Sequence, residues 1–315
     1  MKTILLIVLA AAMATAPAAQ AAKAPELSGT ITISGAWALY PMGVKWAEEF
    51  QKLHPKVRID VAAGGAGKGM ADCLAGAVDI GMISREINPE EAKRGAWWVP
   101  VTIDAVVPTV NAANPLLKSL LAKGVTRDSL VGVWIDGSVT TWGQLLGTGD
   151  TRQIHVYTRS DACGAAETWA KYLGKNQEDL EGVGVYGDPG LAEAVRQDDL
   201  GIGYNNINYV FDAKTLKPNP GVAVLPLDLN GNRVIDPEES FYGTRNALVD
   251  AVATGKYPAP PARDLYFAFL GKPQSAVVRE FVRWVLTGGQ KYVPETGYVN
   301  LSEAKLKAAL AKLGG

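Results

Sequence analysis

The sequence predicts an α/β fold carrying parallel strands, and three observations support this. Short β-branched runs alternate with helical patterns through the first half. Glycine-rich stretches stand where strand gives way to helix. Two long apolar runs, at 101–111 and 262–269, lie far apart in the chain. Strands alternating with helices of this size imply crossover connections, which parallel pairing requires. The two long runs suit segments that leave one domain and later return to it.

The elements follow in order. "TITISG" (30–35) reads as a strand, and "YPMGVKWAEEFQKLHP" as a helix that stops at Pro55. "VRIDVAA" (57–63) is the next strand. "GGAGKGMADCLAGAV" is a glycine loop opening a helix, and "VDIGMIS" (78–84) is a third strand. Thr126 is a candidate N-cap for "TRDSLVGVW", and "TTWGQLLG" a second short helix. "RQIHVYTR" (152–159) is a strand delivering "TRSDACGAAETW", with a helix at 165–174. "GIGYNNINYV" (201–210) and "VAVLPL" (222–227) read as strands. "SAVVREFVRWVLTGGQKYV" is an amphipathic helix with Val278, Phe281, Val282 and Val285 on one stripe.

Composition narrows the function. The chain has 31 basic and 32 acidic residues, so neither nucleic acid nor an anionic membrane is the expected partner. With 48% hydrophobic and 20% charged residues, disorder is excluded. Residues 1–21, "MKTILLIVLAAAMATAPAAQA", have the pattern of a secretory signal peptide cleaved after Ala21. Its apolar run is shorter than the roughly 20 residues of a spanning helix. The expected location is the periplasm. No Ser-His-Asp set or histidine metal cluster is visible, and "GGAGKG" lacks the spacing of a nucleotide loop, so no enzyme is expected.

Eight segments carry a resemblance: "SGAWALYP…KWAEEF", "GGAGKGM", "AGAVDIGMISREI", "TTWGQL", "TRSDACGAAETWAKYL", "GIGYNNINY", "YPAPPARDLYF" and "GQKYVPETGYVNL". In that order they resemble the phosphate-binding proteins of bacterial ABC phosphate importers, over essentially the whole chain after the leader. The resemblance implies an α/β, two-lobed periplasmic-binding-protein fold with two hinge strands and a central ligand cleft. Lobe I would comprise 24–103 plus 262–315, and lobe II 104–261. It further implies a monomer that captures an oxyanion, phosphate foremost, for an ABC permease of the inner membrane. No cofactor is required.

The same resemblance places the ligand at four loops. They are Ala36-Trp37-Ala38, Ala66-Gly67-Lys68, Arg85, and the stretch holding Arg159, Asp161, Cys163, Gly164 and Ala165. The family's hydroxyl side chains are absent at 36–38, 66, 163 and 165, and Arg85 stands where a carboxylate is often found. Arg159 is the expected charge partner of the anion, with Asp161 orienting it or the loop backbone. Lys68 and Arg85 either add positive charge to a fully ionised ligand or are respectively solvated and ion-paired. Trp37 either lines the cleft or belongs to the core. Cys163 is a small replacement for serine, a helix-start thiol of lowered pKa, or half of a bridge to Cys73. The lost hydroxyls leave two other readings open: a binder of another oxyanion or small organic acid, and a sensor or scaffold uncoupled from transport.

"DLNGNRVIDPEE" (228–239) spaces oxygen-bearing residues like a calcium loop. Asp228, Asn230, Asn232, Asp236 and Glu239 would ligate through side chains and Val234 through its carbonyl. Arg233 replaces the glycine of the sharp turn. A polar turn without metal is the alternative.

Overall fold

The structure is a computed structural model that describes residues 26–314. The expected leader at 1–21 lies outside the described residues. Strand β1 (Gly29–Gly35) passes through a 3-10 turn (Trp37–Leu39) into helix α1 (Tyr40–Leu53), which returns to β2 (Val57–Ala63). Helix α2 (Ala66–Leu74) carries the chain to β3 (Ile80–Ile83), and α3 (Pro89–Lys93) leads into the long β4 (Ala96–Asn111). Then come α4 (Leu117–Lys123), α5 (Arg127–Trp134) and α6 (Trp142–Leu146). The run β5 (His155–Arg159), α7 (Gly164–Leu173), β6 (Val183–Val185), α8 (Gly187–Gln197), β7 (Gly201–Asn206) follows. After α9 (Ile207–Val210), β8 (Val222–Val224) and α10 (Arg245–Ala253), strand β9 (Ala262–Leu270) leads to α11 (Ala276–Val285) and α12 (Glu303–Leu313).

Parallel pairing holds where crossovers exist: β1 with β2 and β3, and β5 with β6 and β7. The two long strands depart from it. β4 and β9 run antiparallel to each other from Ala96 opposite Leu270 to Ala105 opposite Ala262. β9 also runs antiparallel to β3, and β4 to β7 and β8. The strand order is therefore β2-β1-β3-β9-β4-β7-β5-β6, with β8 beside β4.

The chain builds two hydrophobic cores. One gathers Ile31, Trp46, Phe50, Val101, Phe267 and Phe281, and the other Val106, Trp134, Trp142, Trp169, Tyr204 and Leu248. Fully burying each such large side chain contributes roughly 1.5–3 kcal/mol. On β4, Val101 belongs to the first core, while Ile103 and Ala105 pack with the second. On β9, Ala262 still packs in the second core and Leu265 in the first, so that crossing falls slightly later than residue 262. β4 and β9 are the two strands shared by both lobes.

Two strand readings are corrected. "GIGYNNINYV" stays extended only to Asn206, because Ile207 and Val210, three residues apart, bury one face of a helical turn. "VAVLPL" leaves the ladder after Leu225, whose N–H still donates to the β4 Pro108 carbonyl at 2.9 Å, because Pro226 has no N–H to donate. The amphipathic stripe on α11 is buried as its spacing predicts. No helix among the described residues is long and apolar enough to cross a membrane.

Candidate functional site

The ends of β1, β3 and β5, with the helix starts that follow, meet between the lobes. Ala36 and Ala38 are buried, and the Ala36 N–H donates to the Met82 carbonyl at 2.8 Å. Trp37 belongs to neither core. It lies edge-on to Tyr186 of the other lobe, ring centroids 6.3 Å apart, and its carbonyl accepts the Tyr209 hydroxyl at 2.8 Å. Its indole Nε1 is buried without a partner among the described residues. Gly187, at φ +73°, allows this seat, since a Cβ there would stand 3.3 Å from the indole.

At the second loop, Ala66 is buried and the Gly67 N–H donates across the lobes to the Ala162 carbonyl at 3.2 Å. Lys68 pairs with Asp72, and about half its side chain faces solvent, 52% exposed. Of its two readings, the solvated one matches this placement. Arg85 is only 10% exposed and is ion-paired from both lobes, with Glu91 at 2.5 Å and Glu167 at 3.3 Å. The Glu91 hydrogen bonds hold its guanidinium above the ordinary pKa. Lys171 to Glu86, at 2.9 Å, is a second pair across the lobes.

Arg159 ends β5 with its side chain buried. Its Nε and Nη2 donate to the two Asp161 oxygens, both at 2.7 Å, and Asp161 also accepts the Gly187 N–H at 3.2 Å. Its Nη1 donates at 2.7 Å to Asp188, on the first turn of α8. Burial works against this charge, but Asp188, Cys163 and Asp161 outweigh it and raise the pKa. All three guanidinium nitrogens therefore face protein partners.

Cys163 caps α7: its Sγ accepts the Ala166 N–H at 3.4 Å, the position a serine oxygen takes at a helix start. Two readings of this residue are corrected. Cys163 and Cys73 are free thiols in different cores, so no bridge joins them. Burial pushes the Cys163 thiol up to about 12, the reverse of an activated thiol. Next to it, Gly164 and the buried Ala165 open the helix with first-turn N–H groups that have no intrahelical acceptor. A Cβ at Gly164 would stand 2.1 Å from the Ser84 carbonyl oxygen, so only glycine permits this approach of the lobes.

Four further residues were not anticipated from the sequence. Asp188 accepts from Asn206 Nδ2 at 2.6 Å, and Asn206 Oδ1 accepts from Arg263 Nη2 at 2.5 Å. Arg263, on β9, stands in register with Asp104 on β4. Burial raises the Asp104 carboxyl to about 7, against the opposing pull of Arg263. Asp188, Tyr209, Tyr257 and Tyr298 are the other titratable groups acting around it. The only local hint was an arginine and an aspartate on the two long apolar strands.

The 228–239 loop folds around its own side chains. Asp228 accepts the Gly231 and Arg233 N–H groups at 2.7 and 2.9 Å, and Glu239 accepts those of Leu229 and Asp236. Asn230 and Asn232 both donate to Asp236 at 2.8 Å, while the Val234 N–H donates to Asn232 at 2.8 Å. Arg233 takes the left-handed turn, φ +63°, that its position demands. Among the described residues, no group of three or more His, Cys, Asp or Glu side chains is placed to hold a metal.

A family model for the PBP superfamily domain matches residues 19–288. The chain belongs to the PBP superfamily. Among similar members, the phosphate-binding protein PstS of Bacillus subtilis is 26% identical, covering 89% of this chain and 84% of that protein. PstS of Pseudomonas aeruginosa is 28% identical, with 93% and 89% covered. Solved PBP-type folds agree. An ABC-type phosphate transport receptor of Vibrio cholerae superposes with a TM-score of 0.62 at 22% identity, covering 86% of this chain and all of the other. A Clostridium perfringens structure titled as a phosphate ABC transporter substrate-binding protein with bound phosphate reaches 0.71 at 21%, with 87% and 100% covered. At these identities the superpositions establish the two-lobed α/β fold.

Proposed function

We propose that this chain is a periplasmic solute-binding protein that captures an inorganic oxyanion, phosphate foremost, and delivers it to an ABC permease. The observation that carries the reading is near-full-length similarity to proteins named phosphate-binding, in both directions of coverage. The site supports it chemically. The start of α7, the start of α2 and a buried arginine network converge between two lobes, and helix starts with buried cations favour anions. The relatives' names are those of binding proteins, which supports capture rather than catalysis. A second reading, a bulkier oxyanion or small organic acid, is favoured by one feature: the partnerless Trp37 indole N–H between the lobes.

The test is a thermal-shift panel on protein unfolded, dialysed and refolded free of anions. Phosphate at about a hundred times its Kd stabilises by roughly 2.7 kcal/mol, several degrees for a protein of this size. A shift with phosphonates or carboxylates but not phosphate favours the second reading, and no shift with any anion contradicts both. Calcium in the 228–239 loop is a separate proposal. Chelation with EDTA should lower the melting temperature and calcium restore it; an unchanged melt removes calcium from the account.

A further inference from the structure

A cavity of about 300 Å3 opens beside the start of β9, at the lower end of the roughly 300–1,000 Å3 that small-molecule sites occupy. Both lobes wall it: Glu86 and Tyr266 from lobe I, and Pro260 with Thr168 and Lys171 of α7 from lobe II. It is set apart from the α7 start, because Thr168 and Lys171 lie further along that helix. Arg263 forms part of the wall with a side chain 7% exposed, and its Nε and Nη1 have no partner among the described residues. A buried cation with unbonded donors is costly until an acceptor meets it. The wall's carboxylates are engaged elsewhere or stand in solvent: both Asp264 oxygens accept from Lys305 at 2.7 Å, and Glu86 is 81% exposed. Lys171 contacts Glu86 at 2.9 Å and Glu167 at 3.3 Å, and an ammonium has a third donor to give. Burial, with Asp264 and Glu86 nearby, pushes the Tyr266 phenol up to about 12, so it stays a donor. The inner wall is therefore rich in donors, while Pro260, Ala262 and the Tyr266 ring make it partly apolar.

We propose that this cavity is a second binding site, for a small organic carboxylate with a compact apolar body. The carboxylate meets Arg263 and Lys171, and the body lies against Pro260 and Tyr266. An inorganic anion would leave the apolar part of the wall uncovered, and a neutral molecule would leave Arg263 without a counter-charge. Because the occupant touches both lobes, it favours the arrangement in which they are close, and so acts as an effector of ligand capture. The site itself stands on this geometry, and only the effector role rests on the oxyanion reading.

The test is calorimetric titration of the full chain with sodium benzoate and sodium cyclohexanecarboxylate, with and without saturating phosphate. Benzamide serves as the neutral analogue of the same shape. Wild type should bind at least one of the two carboxylates at one site per chain, and benzamide at least about tenfold more weakly. Ala259→Trp sets an indole into the cavity from an exposed position. It should melt near wild type yet bind the carboxylate at least about tenfold more weakly, and Lys171→Met should weaken binding by about tenfold. Binding of neither carboxylate by wild type overturns the site, as does equal binding of benzamide or undiminished binding by both variants. Carboxylate should tighten phosphate, and phosphate the carboxylate, by the same factor of about fivefold or more. A phosphate affinity unmoved by carboxylate overturns the effector role and leaves the site standing. A wild type that binds carboxylate but no phosphate overturns the oxyanion reading, again without touching the site.

Discussion

Two arginines lie buried where the lobes meet, and their neighbours give them different work. Arg159 is held by Asp161 and Asp188 and organises the α7 and α8 starts, while two nitrogens of Arg263 have no partner among the described residues. Asp104 gives the clearest pH prediction. Its folded pKa of about 7 lies above the ordinary 3.8, so the folded chain keeps a proton that the unfolded chain releases. Stability therefore falls as pH rises from about 4 to 7, then levels off. Asp104→Asn should match wild type in denaturant melts near pH 4 and exceed it at pH 8, by on the order of 4 kcal/mol at most. A difference independent of pH would contradict the buried carboxyl. Of these residues, Arg159 and Asp161 were legible because they share one short motif. Asp188, Asn206, Arg263 and Asp104 were not, because their partners come from distant strands and helices.

At the scale of elements, α7 governs how closely the lobes approach. Gly164 faces the Ser84 carbonyl with room for a hydrogen but not a methyl group. Gly164→Ala should leave the fold intact, since the glycine occupies an ordinary helical start, yet hold the lobes apart. Small-angle scattering of that variant with saturating phosphate should show a larger radius of gyration than wild type, and phosphate affinity should fall at least about tenfold. Equal radii would show that α7 does not set the approach. Most elements were readable, because β1, β2 and α11 carry clean periodicities of two and 3.6. The misreadings came where periodicity was short. Residues 207–210 are apolar enough for strand but bury a three-residue spacing, and the antiparallel pairing of β4 with β9 follows from long-range topology that local pattern does not encode.

At the scale of the molecule, the two lobes touch through a few polar contacts around the site. Arg85 to Glu167, Lys171 to Glu86, Tyr209 to Trp37 and Gly67 to Ala162 all cross the junction. The exposed Lys171–Glu86 pair contributes about 1 kcal/mol or less, which suits a junction able to open. Glu167→Gln should raise the phosphate off-rate up to about fivefold in stopped-flow measurements, with little change in melting temperature. A slower or unchanged off-rate would show that Arg85 acts only within lobe I through Glu91. The division into two cores was legible from the two long apolar strands, but the buried polar network between them was not.

The most direct measurement is a crystal structure of the chain with arsenate, whose anomalous signal locates the anion independently of any model of binding. The account predicts arsenate between the lobes, its oxygens about 3 Å from the first N–H groups of α7. Arsenate bound elsewhere, or held between the lobes without contact to the start of α7, would contradict it.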